Sequence, residues 1–345
     1  MVNRVRSISK LSRQSGLALI MVLLIVVMAG VIALDMVTRS QLDIRRTGNL
    51  LSVDQGYAYA TGAEPFVLAV LEKAFKDSDD WLTISKQTLP DFVIPGGVLS
   101  ITIEDLQANY NLNSIDATSD NANILNSLEL LMKALDLNAD IDTKVISQSV
   151  IDWIDKDMIP TGVGGVEDDY YMMRDIPYRA GNESFQDISE LRLVKGIDKD
   201  TYAILESSVS VLPVDVSINI NTASLAVIRT LSEKVTVEDA QEVISLRNEA
   251  PLKALPEVLK SKGVVENQVV FRSEYFRVTS KAVINNRKSF LQSILFFPDP
   301  AQKNQSGNGS NESNDKSTSF VLSRNQNYRY ISKETESGTD EVDSE

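Results

Sequence analysis

The 345-residue chain carries 48 acidic against 34 basic side chains, a formal net charge of −14, and contains neither cysteine nor histidine. Disulfides, Cys or His nucleophiles and His-ligated zinc are thereby excluded, which leaves carboxylate, hydroxyl, amide and amine chemistry. The acidic balance argues against a nucleic-acid partner, because phosphate binding calls for a surplus of Lys and Arg.

Residues 1–16 hold Arg4, Arg6, Lys10 and Arg13 with no acid, so the remainder of the chain sits near −18. Residues 17–34, LALIMVLLIVVMAGVIAL, carry no charge. As a helix they cover roughly 27 Å, close to the hydrocarbon thickness of a bilayer. The basic flank before the span and Asp35 after it keep the N-terminus cytoplasmic and place the rest on the far side. Three readings fit the segment. A cleaved secretory signal has small residues available at Ala29, Gly30 and Ala33, although the apolar run exceeds the usual h-region. A plain signal anchor fits the length and charge bias. A prepilin-type leader fits Gly16, which stands between the basic residues and the apolar run and would be cut before Leu17.

Helical spacing continues from Thr38 to Phe75, with apolar residues at Leu42, Leu50, Val53, Tyr57, Ala60, Phe66, Val70 and Leu71. Gly48, Gly56, Gly62 and Pro65 imply a bent or interrupted helix, and DSDD at 77–80 ends it. Segments of β character follow at 81–85, 91–95 and 98–105. In the last, Leu99, Ile101 and Ile103 alternate with Val98, Ser100, Thr102 and Glu104, and ProGlyGly at 95–97 reads as the preceding turn. Helices are expected at 121–137 and 143–155, two short ones around Gly196 within 186–209, and a further block at 222–263. Residues 275–284 and 288–297 return to β character. After Phe297 the chain is rich in Ser, Asn and Gly and is expected to be disordered, with VLSRNQNYRYI as a segment able to dock.

The densest chemical feature is DWIDKDMIPTGVGGVEDDYY at 152–171, where Asp152, Asp155, Asp157, Glu167, Asp168 and Asp169 face only Lys156. Carboxylates this close repel unless something neutralises them. Gly162, Gly164 and Gly165 let the loop fold back so that Asp155 and Asp157 meet Glu167, Asp168 and Asp169. Oxygen-only ligands on a flexible loop suit calcium better than transition metals, yet the spacing is not an EF-hand. A solvated acidic loop remains the alternative. A glycosidase-like carboxylate pair lacks the aromatic platform expected beside it.

SININTASLAVIRTL at 217–231 with VEDAQEVISLR at 237–247 looks like a helix-hairpin-helix or SAM-like segment. The hairpin lacks a glycine turn that would present amides to a phosphate, and no basic stripe accompanies it. The reading is structural: small helical packing units.

RQSG followed by LALIMVLLIV, DWIDKD with GGVEDDYY, PYRAGNESFQDISELRLVKGI and INTAS occur in that order. Together they resemble the K-type minor pseudopilin of type II (general) secretion systems, the GspK family, over about residues 10–297. The resemblance implies an α+β fold: a long N-terminal transmembrane helix and a pilin-like α/β core with an antiparallel sheet, interrupted by a large α-helical domain. The expected division is a basic prepilin leader (1–16), the transmembrane helix (17–37), the first part of the core (38–118), the inserted helical domain (119–270), the last core strands (271–297) and an acidic disordered tail (298–345).

The resemblance also implies cleavage between Gly16 and Leu17 by a prepilin peptidase, with methylation of Leu17. Pilin-like subunits carry Glu at the fifth mature position, which here is Met21, and the K-type subunit is the one that lacks it. Bound calcium is implied in the helical domain, with Asp155, Asp157, Glu167, Asp168 and Asp169 as its ligands, while Asp152 beside Trp153 caps or packs. The expected role is a non-enzymatic tip subunit, anchored in the inner membrane with its C-terminal domain in the periplasm. It would join I- and J-type minor pseudopilins and start assembly of the major pseudopilin into a pseudopilus. The competing classes are a membrane-anchored periplasmic calcium-dependent hydrolase and a competence-type DNA-binding protein.

Overall fold

The computed structural model describes residues 15–77, 89–115, 121–137, 141–298 and 319–325. The leader up to Gln14, the strand expected at 81–85 and most of the tail lie outside the described residues.

Helix α1 runs unbroken from Ser15 to Asp77. Its residues 17–51 are exposed, and burial begins at Ser52. From there Gly56, Ala60, Ala63, Glu64, Val67, Leu71 and Ala74 face inward at intervals of three or four, one stripe of a 3.6-residue helix. Of the apolar positions noted in the sequence, Ala60 and Leu71 lie on this stripe, whereas Leu42, Leu50, Val53 and Phe66 remain exposed. Its first half is built from small residues because the helix lies close against a strand. The Ser289 hydroxyl donates to the carbonyl of Val53 at 2.9 Å, and a Cβ on Gly56 would come within 2.5 Å of Ser289 Oγ. The expected interruption at Pro65 does not occur. Its ring is exposed and costs one backbone hydrogen bond, while Ala63, Glu64 and Val67 around it are held against the sheet.

Strands β1 (Phe92–Ile94) and β2 (Gly97–Asp105) form a hairpin around Gly96, whose φ of 81° suits glycine. The chain returns to the sheet 170 residues later in β7 (Tyr275–Ile284) and β8 (Arg287–Phe296). Asn285 and Asn286, both with positive φ, make the two-residue turn between them. Two-residue strands β3 (Tyr110–Asn111) and β4 (Val209–Ser210), and β5 (Ile218–Asn219) and β6 (Val269–Val270), pair in parallel within the intervening segment. The main sheet has the order β1-β2-β7-β8-β9, with β9 formed by Phe320–Asn325, antiparallel throughout. Ala63, Val67 and Leu71 of α1 pack on Leu99, Ile101, Ile103, Phe276, Val278 and Leu295 to make the first core.

The fifth strand, β9 (Phe320–Asn325), corrects the expectation of a wholly disordered tail. The docking segment within 298–345 is a sheet edge, held by a buried carboxylate that its low apolar content could not reveal.

Between β2 and β7 the chain builds a second core from helices: α2 (Asn121–Ala134), α3 (Thr143–Ile154), α4 (Asp168–Met172), α5 (Lys199–Glu206), α6 (Leu225–Ile228), α7 (Val237–Glu249) and α8 (Glu257–Ser261). Leu131, Ile146, Trp153, Tyr171, Val209, Val227 and Val243 are among its buried residues, and Tyr110 and Leu112 belong to it as well. The helical part therefore begins before residue 119. The half-buried Arg247 guanidinium in α7 donates to the carbonyls of Ile220 and Ala223 at 2.8 and 2.7 Å, a structural use of an arginine in the hairpin-like segment.

A polar knot joins the two cores. Asp105, at the end of β2, accepts from the Gln107 amide at 2.9 Å, from Thr222 Oγ1 at 2.5 Å and from Ser273 Oγ at 2.6 Å. Asn219 Nδ2 donates to the same Ser273 hydroxyl at 2.7 Å. Gln107 closes the ring, accepting from the Glu274 amide at 2.6 Å and donating to the Ser217 carbonyl at 3.0 Å.

Two helical glycines test the helix–sheet contact. Gly56→Ala must push α1 off β8 and is expected to cost about 1–3 kcal/mol. Gly62→Ala meets no atom within 4 Å and is expected to stabilise by about 0.5–1 kcal/mol through helix propensity. Denaturant unfolding of the two variants checks the opposite signs.

Candidate functional site

Helix α3 begins with an Asp142 cap, whose side chain accepts from the amides of Lys144 and Val145, and ends at Asp155. Its last turn carries Asp152. Both carboxylates therefore sit at the negative end of the helix dipole, where acids are disfavoured and cations favoured. The loop 156–166 then folds back along the helix. Gly164 donates its amide to Gln148 Oε1 at 2.8 Å, and Lys195 Nζ donates to the Gly164 carbonyl at 3.1 Å. Thr161 donates its amide to Asp152 Oδ1 at 2.9 Å. Gly162 has a φ of 65°, and a Cβ on Gly165 would collide with the Asp152 carboxylate.

This return brings Asp155, Asp157 and Glu167 together, with one oxygen of each lying within 4.8 Å of the others. Oxygens bound to a common calcium at about 2.3–2.6 Å can stand no farther apart than about 5 Å, so the spacing fits one ion. The other two expected ligands are elsewhere. Asp168 accepts from the Ala180 amide at 2.9 Å and lies 3.8 Å from the Arg179 guanidinium. Asp169 is exposed in the first turn of α4. At that helix N-terminus both acids are favoured by the dipole without a metal, which is why a tally of carboxylates along the sequence over-assigned them.

Asp152 is the residue that the sequence reading set aside. It is fully buried. Its role in packing is real, through the bond from Thr161, yet its second oxygen has no partner. Asp152 Oδ2, Asp155 Oδ1 and both Glu167 carboxylate oxygens are buried with no hydrogen-bond donor. Glu167 is the N-cap of α4 and makes no side-chain cap bond. Four orphaned carboxylate oxygens at a helix C-terminus are costly unless a proton or a cation satisfies them. Burial, with Asp157 and Asp152 adding repulsion, raises the Asp155 carboxyl to about 6. Burial also raises Glu167 to about 7, with Asp152, Asp155, Asp157 and Asp168 contributing. The donor set is hard oxygen only, and Asp155, Asp157 and Glu167 each bring an oxygen within 4.8 Å of the others, so the residues fit calcium.

Aromatic rings back the site. Trp153 stands edge-on to Tyr171 at 5.3 Å, and Tyr171 lies 5.2 Å from Tyr178. Trp153 also accepts through its carbonyl from the Asn182 amide at 2.9 Å. Trp153, one of two tryptophans in the chain, sits in the same helical turn as Asp152 and Asp155.

Of the processing residues, Gly16 is the second residue of α1 and Leu17 the third. Leu17 and Met21 are 64% and 62% exposed, within a stretch apolar enough to cross a membrane by length and composition.

Two family models, both described as type II secretion system protein K, match residues 108–214 and 218–275. The type II secretion system protein K of Pseudomonas aeruginosa is 31% identical over 302 residues, covering 82% of this chain and 88% of that protein. The protein of the same description from Aeromonas hydrophila is 32% identical over 309 residues, with 82% and 93% covered. A solved chain from the GspK-GspI-GspJ complex of enterotoxigenic Escherichia coli superposes with a TM-score of 0.64 at 24% identity, covering 82% of this chain and all of that one. At that identity the likeness is one of fold.

The acidic site makes stability depend on pH, in a direction that a bound cation would reverse. Without metal, the folded chain holds protons on Asp155 and Glu167 at a pH where the unfolded chain has released them. Its stability therefore falls as pH rises from about 4 toward about 7. In chelator the thermal midpoint is expected to drop by a few degrees between pH 5 and 7.5. In calcium it is expected to rise over the same range, because binding needs the ionised groups. Glu167→Gln is expected to flatten both profiles and to remove the calcium-dependent change in Trp153 fluorescence.

Proposed function

The chain belongs to the type II secretion system protein K family, the K-type minor pseudopilins, and from that premise we propose that it forms the tip of a periplasmic pseudopilus. The observation that carries the reading is the division of labour along α1. Its first half is an exposed apolar rod and its second half is one layer of a folded body. A rod of that kind is suited to bundle with the equivalent helices of other subunits. The helical part inserted between β2 and β7 is too bulky for repeated stacking within a shaft, which favours a terminal position.

The partners proposed are the I- and J-type subunits, as in the complex that gives the solved relative its title. The cleavage proposed is between Gly16 and Leu17, by a prepilin peptidase that also methylates Leu17. The apolar helix would hold the subunit in the inner membrane until assembly draws it out. Met21 places no carboxylate in that helix, which suits a subunit with no earlier neighbour above it to neutralise one. The protein has on this reading no reaction to catalyse.

Calcium, held by Asp155, Asp157 and Glu167 with Asp152 behind them, would supply the cation that their charges require. The chain itself contributes the scaffold: α3 and α4 fix the acids, Gln148 and Lys195 hold the returning loop, and Gly165 leaves room for the Asp152 carboxylate. The role is structural, keeping the loop in one conformation without the cross-link that cysteines would offer.

Gly16→Ala is expected to leave a precursor about sixteen residues longer on gels and to reduce secretion through the system severely. Co-expression with I- and J-type subunits is expected to give a complex that survives purification in calcium and weakens in chelator. Normal processing of the variant, or failure to associate in calcium, would sink the tip assignment.

A further inference from the structure

Glu64 lies on the inward stripe of α1 and is 3% exposed. Its Oε1 accepts from Ser293 Oγ at 2.6 Å, and the Arg324 guanidinium grips both oxygens, Nε to Oε1 at 2.8 Å and Nη2 to Oε2 at 2.7 Å. Burial by itself would raise this carboxyl, but the bonds from Arg324 and Ser293 outweigh it and hold the group below its usual value. Arg324 comes from β9, in register with Ser293 of β8. The planar two-toothed grip is one that lysine cannot reproduce.

Beyond its backbone pairing with β8, the strand has modest apolar packing among the described residues. Val321 packs at the margin of the first core, and the Phe320 ring lies tilted at 53° to Phe296, 5.3 Å between centroids. Phe320 and Leu322 remain nearly half exposed. The pairing is irregular between Ile294 and Leu295. Residues 299–318, which connect β8 to β9, contain no Val, Leu, Ile, Met or aromatic side chain. A strand with so little buried apolar surface opens at low cost. When it leaves, it exposes a ladder of backbone groups on β8 beside a buried, uncompensated carboxylate.

We propose that the outer edge of β8, together with Glu64, is an arginine-keyed slot for an extended strand, and that Phe320–Asn325 is its resident, detachable plug. The backbone of β8 supplies the ladder that any strand could use. Glu64 supplies selectivity, because only a segment presenting arginine opposite Ser293 satisfies it. The plug thereby protects the sheet from unselective edge pairing while leaving the edge open to exchange.

The test uses the full chain in detergent and a version ending at Pro298, with a fluorescent peptide of the sequence 319–325. The shortened chain is expected to bind the peptide and the intact chain to exclude it. Arg324→Lys in the peptide is expected to weaken binding about tenfold, and Arg324→Ala further, as loss of a charged fork requires. Glu64→Gln in the shortened chain is expected to abolish that discrimination. Equal uptake by both chains, or indifference to Arg324, overturns the proposal. Should the shortened chain not fold, Arg324→Ala in the intact chain provides the second measurement. Amides of β8 from Gln292 to Phe296 are expected to exchange with deuterium at least about tenfold faster, with the helical core unaffected. Unchanged exchange on β8 overturns the proposal equally.

Discussion

One buried carboxylate decides whether the two halves of this chain can coexist. Asp105 closes β2 at the point where the chain leaves the sheet, and its partners Thr222, Asn219 and Ser273 come from the far end of the excursion. A fully buried acid is tolerated only when its oxygens are filled by donors, and here they come from the strand Ile218–Asn219, the turn at Thr222 and the loop at Ser273 that leads into β7. The same bonds that satisfy the acid therefore bring Ser273 beside Asp105 and start β7 in register with β2, pairing Asp105 with Phe276. Burial raises the affinity of Asp105 for its proton, while the hydroxyl and amide donors oppose that shift. The sheet and the helical core are two hydrophobic bodies, but their connection is polar and directional.

A second set of acids has the opposite character. Asp152, Asp155, Asp157 and Glu167 are drawn together by packing of α3, α4 and the returning loop, and the oxygens that meet have few donors. Where Asp105 is complete within the protein, this cluster is complete only with an added cation or with protons. The contrast separates a carboxylate used as a fastener from carboxylates arranged as a receptor.

Much of this was legible before any coordinates. The uncharged run 17–34, the alternation at Leu99, Ile101 and Ile103, and the Gly196 turn between short helices each follow from local rules and are present. The acidic loop was legible as a place but not residue by residue. Asp168 and Asp169 differ from Glu167 only in belonging to the next helix, which one residue of register decides. Asp152 looked like a packing residue because the sequence does not show that only one of its oxygens finds a donor. The buried stripe of α1 could not be picked out from the apolar spacing for a related reason. A close helix–strand approach favours Gly56 and Ala60 over larger apolar residues, and closeness is a tertiary property. The segment at 320–325 was legible as able to dock but not as a strand, because its anchor is an ion pair with a residue some 260 positions away.

The exposed half of α1 has a mechanical consequence. With residues 17–37 as the proposed anchor, residues 38–51 form a stalk of roughly 21 Å before the first buried side chain, Ser52. Asp35 and Arg39 pair across one turn at its start at 2.9 Å, yet Leu42, Ile44, Leu50 and Leu51 are exposed along the same stretch. A lone helix with such a surface in water is an incomplete bundle, dry on no side. The stand-off between bilayer and folded body is therefore a length reserved for neighbouring helices, and a subunit alone would hold its largest debt of unburied surface there.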